Sequence, residues 1–279
     1  MIIDCHTHLN RYGDGEPPTL AERYALLHSE MAVNRVDYSL VLSSYAITQD
    51  RPSTEELVEL TAGDHKVGIV AGLSAARGWS AEVAGLRKLL EAGKLKGLKL
   101  YPGYESFYVH DRELHPVYEL AAEFGVPVMI HTGDTFNRLA KVKYAHPLEV
   151  DEVAVDFREV TFLVCHVGSP WFGDAMEVIY KNENVVGDIS GLTLGEFAPR
   201  FEAFALDKVG ELIAFINDPT KLLFGTDWPV ADMGSYLRFA AKLDLSPEER
   251  EGLLWKNAAR VFDLTLARDR ETDDGGNDA

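Results

Sequence analysis

Five short segments of the chain end in side chains able to hold a metal ion or move a proton. They are Asp4-Cys-His6-Thr-His8, Lys99-Leu-Tyr101, Met129-Ile-His131, Val164-Cys-His166 and Phe224-Gly-Thr-Asp227, and each follows or contains an apolar run. His6 and His8 are two residues apart, and on an extended strand that spacing turns both side chains to one face. Two imidazoles side by side suit a transition metal such as zinc. His131 and His166 extend the cluster, so that four of the nine histidines fall on these segments. A set of purely structural histidines is a poor account of this, because imidazoles and a carboxylate converging with nothing to bind are costly to desolvate. If the segment of Asp227 neighbours that of His6 and His8, its carboxylate can reach a metal held by them and take a proton from the water on it. Asp4, just ahead of the pair, is read as support for the strand rather than as a ligand.

The apolar runs are Ile2–Cys5, Tyr38–Leu42, Val67–Leu73, Gly97–Leu100, Val126–Ile130, Thr161–Cys165, Val185–Ile189 and Leu222–Gly225. They are rich in Val, Ile and Leu and nearly continuous, as parallel strands covered on both faces are. Helical stretches separate them. Thr19–Asn34 opens on a Thr cap, Ser53–Ala62 on Ser-Thr-Glu-Glu, and Ser246–Phe262 on Ser-Pro-Glu-Glu. Ser80–Ala92, Asp111–Phe124, Pro147–Phe157, Gly173–Asn182, Pro199–Ile216 and Met233–Leu243 complete the set. Eight strands alternating with helices, without a Gly/Ser linker, predict an α/β protein with one (β/α)8 TIM barrel over residues 1–265, ending in a C-terminal helix. The active site of such a barrel lies at the C-terminal ends of the strands, where the five segments end. An open dinucleotide-binding sheet would want a glycine-rich turn after its first strand, and His-Thr-His stands there instead.

The 279 residues are 46% hydrophobic and 26% charged, which excludes a mostly disordered chain and a coiled coil. With 27 basic against 45 acidic residues the net charge is −18, so neither a nucleic-acid nor a membrane partner is expected. Part of the acidic excess lies in residues 266–279, a short acidic tail expected to be disordered. Cys5 and Cys165 sit in apolar runs and make no disulfide framework. With no signal-peptide pattern and no long apolar stretch, the expectation is a cytoplasmic protein with a small-molecule substrate, for which a homo-oligomer is allowed.

The pattern of His-x-His on strand one, His on strands five and six and Asp on strand eight resembles the amidohydrolase superfamily. Gly97-Leu-Lys-Leu-Tyr-Pro102, Phe224-Gly-Thr-Asp-Trp-Pro229 and Lys256-Asn-Ala-Ala-Arg-Val-Phe262 resemble its amidohydrolase 2 branch, metal-dependent hydrolases of the TIM-barrel fold related to aminocarboxymuconate-semialdehyde-type decarboxylases. The resemblance implies that His6, His8, His131 and Asp227 hold one divalent metal, most often zinc, with manganese as the alternative. It implies that His166 is a non-ligand histidine that polarises the substrate or shuttles a proton, so that Asp227 and His166 are the catalytic pair. A second metal would follow only if Lys99 were carbamylated; otherwise Lys99 is a substrate-contacting cation.

The expected activity is hydrolysis of a carbonyl in a small ester, lactone or amide, with non-oxidative decarboxylation of an unsaturated or aromatic acid as the alternative. A degenerate barrel serving as a binding protein would be marked by a missing ligand, and all five positions are filled. Arg77, Arg138 and Lys99 are candidate partners for a substrate carboxylate. Tyr101, at the end of strand four, is a further substrate-contact candidate, and Trp171, with Trp79 and Trp228, suggests an apolar wall. The loop Gly103–Asp111 is a candidate lid.

Overall fold

The computed structural model describes residues 1–265; the acidic tail lies outside the described residues. Eight strands, β1 (Ile3–Thr7), β2 (Tyr38–Leu42), β3 (Val67–Gly72), β4 (Gly97–Leu100), β5 (Val128–Ile130), β6 (Phe162–Val164), β7 (Val185–Asp188) and β8 (Leu222–Leu223), pair in parallel in sequence order. The helices α1 (Leu20–Asn34), α2 (Thr54–Leu60), α3 (Trp79–Glu91), α4 (His115–Phe124), α5 (Leu148–Asp156), α6 (Phe172–Lys181), α7 (Pro199–Ile216) and α8 (Met233–Ala241) follow the strands one for one. The result is a (β/α)8 TIM barrel.

Its seam is sealed by the segments that carry the metal-ligand candidates. The amide of Cys5 donates to Phe224 O (3.0 Å), that of Asp227 to His6 O (2.8 Å) and that of His8 to Trp228 O (2.7 Å). The strands stop short of the apolar runs for local reasons. Pro127 has no N–H to give to a ladder, and β5 starts after it. At the end of β6, Cys165 to Gly168 form a tight turn with His166 and Val167 at positive φ.

Capping boxes at Thr19/Glu22, Ser53/Glu56 and Ser246/Glu249 satisfy the free amides that begin α1, α2 and the C-terminal helix. That last helix is not continuous. It runs as α9 (Pro247–Glu251), a π turn (Gly252–Lys256) and α10 (Asn257–Val261). The turn coincides with Leu253 O accepting from Phe224 N (2.9 Å), and Asn257 Nδ2 donates to Pro219 O and Leu222 O, so this stretch is tied to β8. Ala258, Val261 and Phe262 then close the apolar interior against Ile3, Leu40 and Leu223. No helix among the described residues is long and apolar enough to cross a membrane.

The loop Gly103–Asp111 is pinned rather than free. Glu105 accepts from Ser74 Oγ and from the amides of Ala75 and Ala76, Phe107 packs edge-on against the buried Trp79, and Tyr118 donates to Val109 O. The lid expectation is corrected on that ground, and Trp79 belongs to the packing under the loop rather than to a substrate wall.

Candidate metal centre

At the C-terminal mouth of the barrel, β1 and the segment after β8 bring His6, His8 and Asp227 together. Each of the three offers one ligand atom within 4.8 Å of the other two. Asp227 Oδ1 lies 3.2 Å from His8 Nε2 and 3.7 Å from His6 Nε2. The far nitrogen of each ring is already committed. His6 Nδ1 donates to Asp188 Oδ2 (2.9 Å) and His8 Nδ1 donates to Leu42 O (3.0 Å). Both rings are thereby oriented with Nδ1 as the donor to its neighbour and Nε2 turned to Asp227, the orientation a metal ligand needs. A second donor group, His6, Cys165 and Asp188, shares His6 and lies just beneath.

A backbone irregularity makes this possible. The β1–β2 register shifts between Asp4 and Thr7. Cys5 faces the inner apolar cluster, and simple alternation would turn its neighbour His6 away from it. With the shift, His6 also reaches the interior, where its ring lies 5.4 Å from His8 and 5.0 Å from His166.

The protonation pattern suits a cation. Burial first, then the Lys99 ammonium, pushes His6 down to about 4 despite Asp188. Burial also pushes His131 well below its ordinary value and lowers His166. Burial works against a charge on Asp227, but the hydrogen bond from His8 and the proximity of His6 and His166 outweigh it and hold the carboxyl below the usual range. Asp188 behaves alike: His6, His166 and Ser190 overcome its burial. His6, His131 and His166, disfavoured as cations by burial, thus lie among carboxylates held ionised by their neighbours, the donor states a divalent metal takes.

The other expected ligand, His131, falls outside the three-residue donor set. Its Nε2 donates to Asp134 O (3.0 Å), and its ring packs 5.1 Å from His166 and 4.8 Å from Tyr104. His166 has its Nδ1 on Ser190 O (3.1 Å) and Ser190 Oγ (3.0 Å), which leaves Nε2 as its free nitrogen. Its φ of 61° and that of Asp227, 68°, are in the left-handed region, a cost that the surrounding hydrogen bonds must hold in place.

Gly191, at φ 62°, gives His166 its room, since a methyl there would come within 2.6 Å of His166 Cε1. Gly191→Ala is therefore expected to displace the imidazole and lower turnover by about 10–100-fold, with the metal content unchanged. Elemental analysis beside a rate assay checks this, and an unaltered rate would show that the position of His166 is immaterial.

Several substrate-contact candidates are placed elsewhere. Arg77 is consumed by structure: Nε and Nη2 bind Glu82, Nη1 donates to Tyr45 O and Nη2 to Gly72 O. Arg77→Ala is expected to lower stability by about 1–3 kcal/mol, read as a drop in Tm, because two carbonyls and a carboxylate lose their donor. A variant as stable as the parent would free Arg77 from this role. Lys99 is fully buried, with Nζ 2.7 Å from Cys165 Sγ, so it lies under the histidines and presents nothing to a ligand at the mouth. Tyr101 is also buried and donates to Ser43 O (2.5 Å). Trp171 packs 4.8 Å from His146 at the start of α6, and Trp228 is buried. Arg138 is exposed on the loop after β5 and has no partner among the described residues.

Sequence reasoning missed Asp188 and Ser190, which orient His6 and His166. A carboxylate inside the run Val185–Ile189 was the available signal.

The chain belongs to the amidohydrolase family, whose model matches residues 3–264. Among solved structures it is similar to an uncharacterised TIM-barrel protein from Bordetella bronchiseptica (21% identity, 94% of this chain and 98% of that one, TM-score 0.75). It is also similar to a dihydroxybenzoic acid decarboxylase from Polaromonas sp. with bound manganese and the inhibitor 2-nitroresorcinol (14%, 96% and 98%, 0.69). A third is a candidate 2-pyrone-4,6-dicarboxylic acid hydrolase from Pseudomonas putida (16%, 95% and 98%, 0.69). At these identities the likenesses show the fold. No protein of curated function matches the chain at significance.

Proposed function

We propose that the protein is a metal-dependent hydrolase acting on a carbonyl of a small ester, lactone or amide. The observation that carries this reading is the convergence of His6 Nε2, His8 Nε2 and an ionised Asp227 at one point, with both Nδ1 atoms already engaged. That donor set fits a divalent ion, zinc or manganese. When bound, such an ion supplies Lewis acidity toward a carbonyl oxygen and a lowered pKa for water. Asp227 is the proton acceptor: it is ionised, and only Oδ1 is held by the histidines. His166, anchored through Nδ1 on Ser190, is left with an unprotonated Nε2, which would take the proton from Asp227 and pass it to the departing group.

A second reading, non-oxidative decarboxylation, is favoured by the tyrosines that approach the histidines from the loops, because a flat wall suits a planar unsaturated acid. Tyr104 lies 4.8 Å from His131 and stacks 5.6 Å from Tyr45. Here a proton that Asp227 or His166 takes up from solvent would go to the carbon that loses carbon dioxide. Incubation of the metal-loaded protein with lactones, esters and unsaturated acids, followed by product analysis, decides between the two. A new acid with no carbon lost supports hydrolysis. Carbon dioxide release supports decarboxylation, and turnover of neither class overturns both.

A further inference from the structure

The N-terminal end of the barrel, opposite the histidines, holds a cavity of about 870 Å³, a size that suits a small ligand. Its basic lining comes from the residues that open neighbouring strands. Tyr38 begins β2, Lys66 stands just before β3, and Lys94 and Lys96 stand just before β4.

The charges in this cavity do not balance. Of its two acids, Asp37 accepts from the amide of Ile2 (2.8 Å). Asp64 accepts from the amide of Lys66 (2.8 Å), from the Tyr24 hydroxyl and from His28 Nε2 (2.8 Å). Both are committed. The ammonium groups of Lys66 and Lys94 pair with no acid among the described residues, and Lys96 Nζ meets only the carbonyl of Asp263 (3.2 Å). Elsewhere Lys181, Lys208, Lys242 and Lys256 each hold a carboxylate. In a chain of net charge −18, three open lysines around one cavity form a cationic island.

A second observation lies within it. Tyr38 is 8% exposed, and its hydroxyl has no partner among the described residues. The phenol lies across Gly68, where a methyl would come within 2.5 Å of Tyr38 Oη and 3.0 Å of the Lys96 stem. Burial, aided by Asp64, pushes the phenol up to about 12, so it keeps its proton and can donate. A buried donor beside open ammonium groups calls for an acceptor that carries negative charge.

We propose that Tyr38, Lys66, Lys94 and Lys96 form a binding site for a phosphate monoester, separate from the metal centre. The ammonium groups meet the phosphate, and the Tyr38 hydroxyl donates to one of its oxygens. The organic part lies on Ile69 and Leu264, which line the same cavity. A phosphate is favoured over a carboxylate because it is close to doubly charged and offers three terminal oxygens to donors from three strands. The site owes nothing to the hydrolytic reading, so neither stands or falls with the other.

Calorimetry with phenyl phosphate, with phenol as its neutral counterpart and benzoate as the carboxylate, tests this. The whole chain is used after chelator treatment, so that no metal at the mouth holds the anion. Expected is one saturable site per chain for phenyl phosphate, weaker binding of benzoate and none of phenol. Lys94→Gln/Lys96→Gln should weaken phenyl phosphate by about 10–100-fold. Tyr38→Phe should weaken it by about tenfold at the parent Tm, because the packed ring is kept and only an unpartnered hydroxyl is lost. Lys88→Gln, at an exposed lysine outside the cavity, should change nothing. Amide hydrogen exchange should show new protection by phenyl phosphate at residues 64–69 and 93–98.

No saturable binding, or binding unchanged in both Lys94→Gln/Lys96→Gln and Tyr38→Phe, would overturn the site. So would a loss in Lys88→Gln as large as that in the double variant, which would reduce the effect to overall charge. Protection at residues 131–145 in place of the two segments would put the anion at the other end of the barrel. Benzoate bound as tightly as phenyl phosphate would overturn the choice of phosphate.

Discussion

His6→Ala/His8→Ala protein is expected to retain no stoichiometric metal and to show no metal-dependent turnover, and the parent is expected to carry about one divalent ion per chain. Two of the three converging ligand atoms disappear together, and Asp227 alone is a weak, open ligand. The barrel itself should survive, because the seam is made by backbone groups: Cys5 N, His6 O and His8 N keep their partners whatever the side chains. Elemental analysis of both proteins, with circular dichroism as the folding control, reads the outcome. His28→Ala/His65→Ala serves as a comparison, since His28 pairs with Asp64 away from the mouth. Metal retained at the parent level by the first variant would remove the basis of the proposed chemistry. In the same frame Asp227→Asn should cut turnover by about 10²–10⁴-fold, the range for loss of a general base.

The second large effect is expected one layer out. Asp188 accepts from His6 Nδ1 (2.9 Å), the amide of His166 (2.9 Å), the amide of Ser190 (3.0 Å) and Ser190 Oγ (2.5 Å). One carboxylate thus orients both a ligand and the catalytic histidine candidate. Asp188→Asn keeps the size but presents an amide N–H where a donor already stands, so metal affinity should fall about 10–100-fold. Competition against a chelator of known affinity measures it. A pH signature accompanies it. Because Asp188 is held below its ordinary 3.8, it contributes stability that is complete above that value and is lost as the pH falls further through its folded value. The Asn variant should lack this slope in acid denaturation. Unchanged affinity and an unchanged acid limb would show that Asp188 neither orients nor charges the site.

What could be read in advance follows from how far each feature depends on long-range contacts. Val- and Ile-rich runs between capped helices make a barrel legible, because burial on both faces leaves its mark on every residue of a strand. The His6/His8 pair and Asp227 were legible because ligand chemistry restricts residue type. The reason given from alternation was incomplete, however: the register shift at Asp4–Thr7 is what lets Cys5 and His6 both face inward. Arg77 and Lys99 went astray for one reason. A cation near a strand end has the same local sequence whether it meets a ligand, a carbonyl such as Tyr45 O, or a thiol such as that of Cys165.

The seam has a consequence for how the chain folds. Asp4 and Thr226, joined by two hydrogen bonds at that seam, are 222 positions apart in sequence. The ligand candidates therefore sit at the two ends of the folding unit, and a growing chain contains half of the site from its first residues and the rest only once β8 has been synthesised. Closing so long a loop is entropically slow relative to pairing neighbouring strands. An ion bridging His6, His8 and Asp227 would act as a clasp on that last closure, so metal should slow the opening of the barrel more than it speeds the early steps of its assembly.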